Sequence, residues 1–177
     1  METLIAFLRG INVGGHHKVP MASLREVLNE LNCKNVKTLL NSGNIVFDTS
    51  ETDIQALEDK TEKHLAKSFG FPIPVILRKK TEILQLVEND PFKNVSVNKN
   101  IRLYVSFLKH SPECTLTLPY TSKDNAFRIL SIENKTILSV LDLSISNTTK
   151  GMDDLEKNFG KEITTRNWNT IEKIVQV

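Results

Sequence analysis

The segment KNVKTLLNSGNIVF, residues 34–47, decides the fold because it predicts a β-hairpin. Side chains along residues 34–40 alternate in the way expected of a strand. Residues 41–44, Asn-Ser-Gly-Asn, are typical of a turn because Gly and Asn tolerate positive φ angles. The apolar residues 45–47 predict the returning strand, so two strands follow one another directly in the chain.

One strand and one helix precede this hairpin. Residues 4–8 are apolar throughout, which predicts a short strand buried on both faces. A helix then begins at Pro20, and its apolar positions recur with the i, i+3, i+4, i+7 spacing of a helix packed on a sheet. These positions are Met21, Leu24, Val27, Leu28 and Leu31.

A second helix and a fourth strand follow the hairpin. Thr52 and Gln55 resemble a capping box, and Gly70 is placed to end the helix. Residues 73–77 predict a strand at the edge of the sheet, because the proline at its second position cannot donate to a ladder. The order β-α-β-β-α-β is that of a ferredoxin-like fold, and it makes residues 1–80 an N-terminal ferredoxin-like half.

The rest of the chain is predicted to repeat this order less clearly. Residues 81–100 form a helical linker in which Thr81 caps the helix, and residues 101–177 form a C-terminal ferredoxin-like half with a terminal helix. Residues 111–120 contain two prolines and predict at best a broken helix. The other expected elements are a strand at 101–107, a hairpin of 126–132 and 136–143, a helix ended by Gly160, a strand at 163–165 and a helix capped by Asn167. We therefore predict an α+β fold with two ferredoxin-like (βαββαβ) halves packed together, although no sequence identity between the halves is visible.

Composition excludes several classes of protein. The chain has 177 residues and a net charge of +2, which indicates neither a protein that coats nucleic acid nor a membrane-surface protein. No apolar run approaches the roughly 20 residues that cross a membrane, and the N-terminus lacks the features of a signal peptide. The two cysteines, Cys33 and Cys114, have neither C-x-x-C spacing nor paired histidines. We expect a cytoplasmic location, reduced thiols, and neither a metal nor another cofactor.

Two polar loops are expected at the same end of the first sheet. In a βαββαβ unit, strands one and two run parallel with strand three between them, so the loop after strand one lies near the hairpin turn. Glycines let a backbone approach a ligand, and basic side chains bind phosphates and carboxylates. The predicted anion site consists of Arg9, Gly10, Asn12, Gly14, Gly15, Lys18, Asn41, Ser42, Gly43 and Asn44. The alternative is that these glycines only form turns and that Arg9 pairs with a carboxylate at the strand end.

The loop after the first strand contains no known phosphate-binding or catalytic signature. Its glycine spacing, at residues 10, 14 and 15, fits neither the dinucleotide fingerprint nor the P-loop. No G-x-S-x-G elbow occurs, and His16 and His17 are interpreted as solvated loop residues. The sequence therefore identifies no general base, and enzyme activity stays open.

Several motifs spread along the chain belong to a recognisable pattern. They are LRGINVGG at 8–15, Lys18, Met21, the turn at 41–44, NDPF at 89–92 and TRNWNT at 165–170. Together they resemble an uncharacterised bacterial family, the domain of unknown function 1697. The resemblance covers residues from about 4 to 174 and implies an α+β fold with two ferredoxin-like halves. It implies no activity.

Arg166, within the last of these motifs, is a second candidate for the anion site. It would complete that site across the two halves. The alternative is that the motif caps a helix and that Trp168 anchors packing.

The leading functional hypothesis is a cytosolic module that binds an anionic small molecule or a nucleotide at the Gly-rich edge. One alternative is an RNA-binding module that uses the sheet, which needs exposed aromatic residues on the central strands. Residues 4–8 and 45–47 are apolar on both faces, which favours a covered sheet, so nucleic acid is the weaker hypothesis. Another alternative is an oligomerising or structural protein without catalytic activity. The sequence does not specify an oligomeric state.

Overall fold

Two antiparallel sheets organise the structure, a computed structural model that describes residues 1–113 and 116–177. Unit 1 contains Met1–Leu86 together with Lys173–Val177, and unit 2 contains Val87–Glu172. The division after residue 86 falls inside the segment predicted as a linker. Cys114, predicted to be a reduced thiol, lies outside the described residues.

Unit 1 has the ferredoxin-like order of elements. Its sheet has the strand order β2-β3-β1-β4, all pairs are antiparallel, and β4 lies at an edge as predicted. The elements are β1 (Glu2–Leu8), α1 (Met21–Glu30), β2 (Lys34–Leu39), β3 (Asn44–Thr49), α2 (Ile54–Phe69), β4 (Val75–Lys79) and α3 (Lys80–Glu88). The two predicted strands of the hairpin, β2 and β3, and their neighbours therefore form one continuous sheet.

Strand β1 is buried on both of its faces, as its apolar sequence predicted. Leu4, Ala6 and Leu8 belong to the same hydrophobic core as the buried residues of α1 and α2. Ile5 and Phe7 point to the opposite face and are also fully buried. Burial of both faces explains why this strand lacks the alternation of polar and apolar residues that a half-exposed strand shows.

Carboxylates of α2 accept hydrogen bonds from backbone N–H groups of the edge strand β4. The Glu58 side chain is buried, and its Oε2 accepts a hydrogen bond from the Leu77 N–H at 2.7 Å. Glu62 accepts the Val75 N–H at 2.8 Å. An unpaired strand edge is a template for association with another chain, so these two contacts block part of that edge.

The predicted helix caps need two corrections. Helix α2 is capped by Asp53, whose carboxylate accepts the Ala56 N–H at 3.0 Å, and not by Thr52 with Gln55. The helix begins at Ile54, so the residue before it occupies the capping position. Helix α3 follows β4 directly and begins at Lys80, which places Thr81 inside the helix.

Unit 2 repeats the sheet of unit 1 and adds one edge strand. Its order is β6-β7-β8-β5-β9, again with antiparallel pairs. The elements are β5 (Ile101–Leu108), β6 (Tyr120–Thr121), β7 (Phe127–Glu133), β8 (Thr136–Asp142), α4 (Thr148–Phe159), β9 (Ile163–Asn167) and α5 (Trp168–Ile174), the last of which continues into unit 1. The fold prediction of two ferredoxin-like halves is confirmed.

The broken helix predicted at residues 111–120 is wrong for the described residues. Residues 111–113 and 116–119 contain no helix, and the chain enters the short strand β6 at Tyr120. Prolines at 112 and 119 remove backbone donors from this segment, which is consistent with an irregular path.

Matched hydrogen bonds show that the two halves share one design. In each half, the last residue of the first strand (β1 or β5) donates to the residue before one neighbouring strand (β3 or β8). The next residue donates to the residue before the other neighbouring strand (β4 or β9). The pairs are Leu8 to Gly43 (2.8 Å) and Leu108 to Lys135 (2.9 Å), and Arg9 to Pro74 (3.0 Å) and Lys109 to Glu162 (3.0 Å). Aligned in this register, LIAFLR at residues 4–9 matches YVSFLK at 104–109, with the same Phe-Leu pair. The two halves therefore share this Phe-Leu pair at matched positions, although only the hydrogen-bond register reveals it.

Gly43 is expected to be sensitive to substitution, because its φ is +78° and an added Cβ would lie 2.7 Å from the Leu8 Cβ. Gly43→Ala should lower the free energy of unfolding by about 3 kcal/mol, from backbone strain and overpacking together. Gly70→Ala is the matched control, because Gly70 has a φ of +80° and no neighbouring atom within 4 Å of an added Cβ. It should cost only about 1 kcal/mol. Urea denaturation measures both, and equal losses would contradict the close-approach explanation.

Candidate functional site

Three loops of unit 1 meet at one edge of its sheet. The loop of residues 9–20 follows β1, the turn of residues 40–43 joins β2 to β3, and residues 70–74 precede β4. The Leu8 N–H donates to Gly43 O and the Arg9 N–H donates to Pro74 O, at 2.8 and 3.0 Å. The first two loops therefore lie at the same end of the sheet, and a third loop joins them.

The first loop is a miniature hairpin. The Asn12 N–H donates to His17 O and the His16 N–H donates to Val13 O, both at 3.0 Å. Gly14 and Gly15, at its tip, have φ angles of +59° and +80°. Positive φ at both central residues is required by the type I′ turn, so these two glycines have a conformational role in the hairpin.

The side chain of Asn12 joins two of the loops. Its Nδ2 donates to Val19 O at 3.0 Å and to Asn41 O at 2.8 Å, and its Oδ1 accepts the Val19 N–H at 2.8 Å. Both amide protons are used, so Asn12 positions the loops and offers no donor to a ligand.

Asn44 and Gly43 also shape the edge from within. Asn44 is fully buried, and its Nδ2 donates to Leu39 O at 3.0 Å and to Ser42 Oγ at 2.9 Å. Gly43 lies against Leu8 and Ile11. These two residues hold the turn closed from inside the fold.

The remaining predicted residues present polar groups at the surface. Gly10, Gly14, Gly15, Lys18, Asn41 and Ser42 are exposed, and Arg9 is half-buried at the end of β1. Among the described residues, Lys18 has no ion-pair partner and the N–H groups of Gly14 and Gly15 have no acceptor.

The three loops at this edge contain no acidic residue. Residues 3–25, 31–47 and 70–81 contain no Asp or Glu, although they include all three loops. The basic residues in the first of these segments are Arg9, Lys18 and Arg25. Arg25 donates to Thr38 Oγ1 at 2.9 Å, which ties α1 to β2. The loops at this edge therefore carry basic residues and no acidic ones, in a chain whose net charge is only +2.

His17 has fixed contacts that the sequence did not reveal. Its ring stacks on Phe71, with centroids 4.4 Å apart and planes inclined by 15°. Its Nδ1 lies 3.2 Å from the Gly10 carbonyl oxygen and donates to it. His17 is exposed, as expected of a solvated loop residue, and it also contacts Phe71 of the third loop, a contact between residues far apart in sequence.

Arg166 lies in β9 of unit 2, opposite Val105. Its guanidinium donates to Thr164 Oγ1 at 2.8 Å and to Thr165 O at 2.9 Å. Burial lowers the pKa of Arg166 to about 10, so the side chain stays charged at neutral pH. Arg78 occupies the matching position of β4 in unit 1, opposite Ile5, and burial lowers its pKa as well.

A second cationic surface lies on α2 of unit 1. Its groove has a volume of about 540 Å³ and is lined by Leu31, Ala56, Asp59, Lys60, Lys63, His64 and Lys67. His64 pairs with Glu30 across the two helices at 2.8 Å.

Cys33 is buried, which raises the pKa of its thiol to about 11. That thiol is a poor nucleophile at neutral pH.

The described part of the chain has neither a metal cluster nor a membrane-crossing helix. No group of three or more His, Cys, Asp and Glu side chains among these residues is placed to hold a metal ion. None of the described helices combines the length and apolar character needed to cross a bilayer.

Comparisons with known proteins identify a family and a fold. The family described as "Protein of unknown function (DUF1697)" matches residues 1–137. Comparison with curated proteins finds no match. Among solved structures, the conserved bacterial protein SP0830 from Streptococcus pneumoniae is similar, with a TM-score of 0.72 and 24% sequence identity. This similarity covers 99% of this chain and 97% of that chain, and it shows the fold alone.

Asn12→Ala is expected to loosen the edge, because it removes one hydrogen bond to Asn41 in the neighbouring turn and two hydrogen bonds to Val19 within its own loop. The free energy of unfolding should fall by about 2–3 kcal/mol, and the amide of Val19, which loses its acceptor, should exchange with deuterium faster. Asn41→Ala is the control, because Asn41 contributes its backbone carbonyl to this network. Equal exchange rates at Val19 in wild type and Asn12→Ala would show that Asn12 does not hold the loops.

Proposed function

This chain belongs to the family of proteins of unknown function DUF1697, as its motifs predicted, and we propose that it is a module that binds an anionic small molecule or a nucleotide at the Gly-rich edge of unit 1. The observation that carries the proposal is the convergence of three loops that contain no acidic residue and that carry Arg9 and Lys18. A site of one charge sign attracts a ligand of the opposite sign.

The exposed groups at the edge suit a phosphate or carboxylate. Arg9 can bind such a group with two parallel hydrogen bonds, and Lys18 can act as a point charge. The N–H groups of Gly14 and Gly15 can donate from the tip of the hairpin, since no glycine side chain hinders approach. Asn41 and Ser42 add polar groups from the neighbouring turn.

The scaffold of this edge is held together by hydrogen bonds within the chain. Asn12 ties the hairpin to the turn, and the buried Asn44 closes the turn from inside. Loops that are fixed before binding lose little conformational freedom when a ligand arrives, which favours affinity. In this proposal Asn12, Gly43 and Asn44 position the site, and the half-buried Arg9 contacts the ligand together with the exposed residues of the loops.

Burial of the sheet argues against RNA binding in the manner of an RNA-recognition module. That mode stacks bases on exposed aromatic residues of the two central strands. Phe7 and Phe47 in unit 1 and Phe107 in unit 2 are at most 1% exposed. The proposal is therefore a small-molecule site at an edge, in a protein that we place in the cytoplasm, where thiols such as Cys33 stay reduced.

Arg9→Ala is expected to weaken binding of inorganic phosphate and pyrophosphate about 10- to 100-fold, since it removes a charge-assisted bidentate contact. Lys18→Ala should weaken it by a smaller factor, of about fivefold, and raising the salt from about 50 to about 300 mM should weaken wild-type binding. Isothermal titration calorimetry measures these changes, and the melting temperature of each unliganded variant reports whether it folds.

The matched control is Lys63→Ala in the groove of α2, a lysine that lies outside the proposed site. It should leave phosphate affinity unchanged. If Lys63→Ala loses affinity while Arg9→Ala keeps it, the anion binds on α2 and the proposed site is wrong. If nucleotides and acidic metabolites raise the melting temperature of wild type and of Arg9→Ala by the same amount, the proposed site is wrong as well.

A further inference from the structure

The geometry points to a nucleotide as the ligand class of the Gly-rich edge, with its base stacked on the ring of His17. This inference rests on the proposed function, because it assigns the aromatic part of a ligand whose phosphate lies beside Arg9 and Lys18. It also goes beyond that function, because anion binding alone requires no aromatic side chain.

The ring of His17 is held in one orientation by two contacts from different loops. One face of the ring stacks on Phe71, with centroids 4.4 Å apart. The proton on Nδ1 is donated to the Gly10 carbonyl oxygen at 3.2 Å. The His17 residue is nevertheless exposed, which leaves part of it open to solvent.

The backbone around this ring is fixed as well. The carbonyl of His17 accepts the Asn12 N–H at 3.0 Å, which makes His17 part of the hairpin ladder. The loop that carries Phe71 is joined to the end of β1 by the bond from the Arg9 N–H to Pro74 O at 3.0 Å. The stacked pair is therefore held in place by contacts of the chain itself, which favours affinity for a ligand that stacks on it.

Charge and stacking occur together within one short loop. Arg9 precedes Gly10, whose carbonyl orients the His17 ring, and Lys18 follows His17 directly. Every nucleobase offers a flat π face that stacks on an aromatic side chain, whichever base it is. A compound with both a phosphate and a heteroaromatic ring uses both features, whereas inorganic phosphate uses only one.

Binding of adenosine monophosphate and of ribose 5-phosphate, compared by calorimetry, tests the inference. Wild type should bind the nucleotide about tenfold more tightly, because only the nucleotide carries a base that can stack. His17→Ala should abolish this preference and leave the affinity for ribose 5-phosphate unchanged. His17→Phe keeps a stacking face without the hydrogen bond to Gly10, and it should retain part of the preference. His16→Ala, at the adjacent exposed histidine, is the control and should keep all of it.

The outcomes separate this inference from the proposed function. Equal affinities of wild type for the two compounds would overturn the stacking role and leave the anion site standing. A His17→Ala variant that loses affinity for both compounds by the same factor would show that the ring only packs the loop, which also overturns the inference. If neither compound binds wild type, the proposed function fails and the inference fails with it.

Discussion

The end of β1 is fixed by a close approach of two backbones, and the arrangement of the edge depends on it. Gly43 lies so near the Leu8 side chain that an added Cβ would be 2.7 Å from the Leu8 Cβ, and its carbonyl accepts the Leu8 N–H. The next residue, Arg9, is bound by its N–H to Pro74 O. These contacts determine where the chain leaves the sheet, so the 9–20 loop starts between the other two loops.

The repeated halves show which features belong to the fold and which belong to the candidate site. Both halves have the bond between the end of the first strand (β1 or β5) and the residue before the neighbouring strand (β3 or β8), but unit 2 uses Lys135 with a φ of +60° where unit 1 uses Gly43. That position therefore needs a left-handed backbone in both halves. The additional need for glycine arises only in unit 1, where Leu8 and Ile11 lie close to the turn.

Local patterns predicted the elements because their information lies within a few residues of each other. Apolar spacing located helix α1 of unit 1, and the Asn-Ser-Gly-Asn turn located its hairpin. Topology then placed the first two loops at one edge. The contacts that build that edge could not be predicted in the same way, since Asn12 meets Asn41 and His17 meets Phe71 across long stretches of chain. The sequence match between β1 and β5 was also hidden, because only the hydrogen-bond register aligns residues 4–9 with residues 104–109.

Comparison of the equivalent edges explains why net charge is a poor guide to this protein. In unit 2, the position that matches Pro74 is Glu162, whose carboxylate lies 3.6 Å from His110. The Glu162 carboxylate offsets positive charge in unit 2, whereas unit 1 has no carboxylate at the matching position, which is Pro74. The chain as a whole is nearly neutral, while the loops at the edge of unit 1 contain basic residues and no acidic ones. A potential that arises from local absence of one sign can select an anion at that edge without making the whole surface basic. A site for a small anionic ligand requires such local selectivity, whereas a protein that coats nucleic acid requires a broadly basic surface.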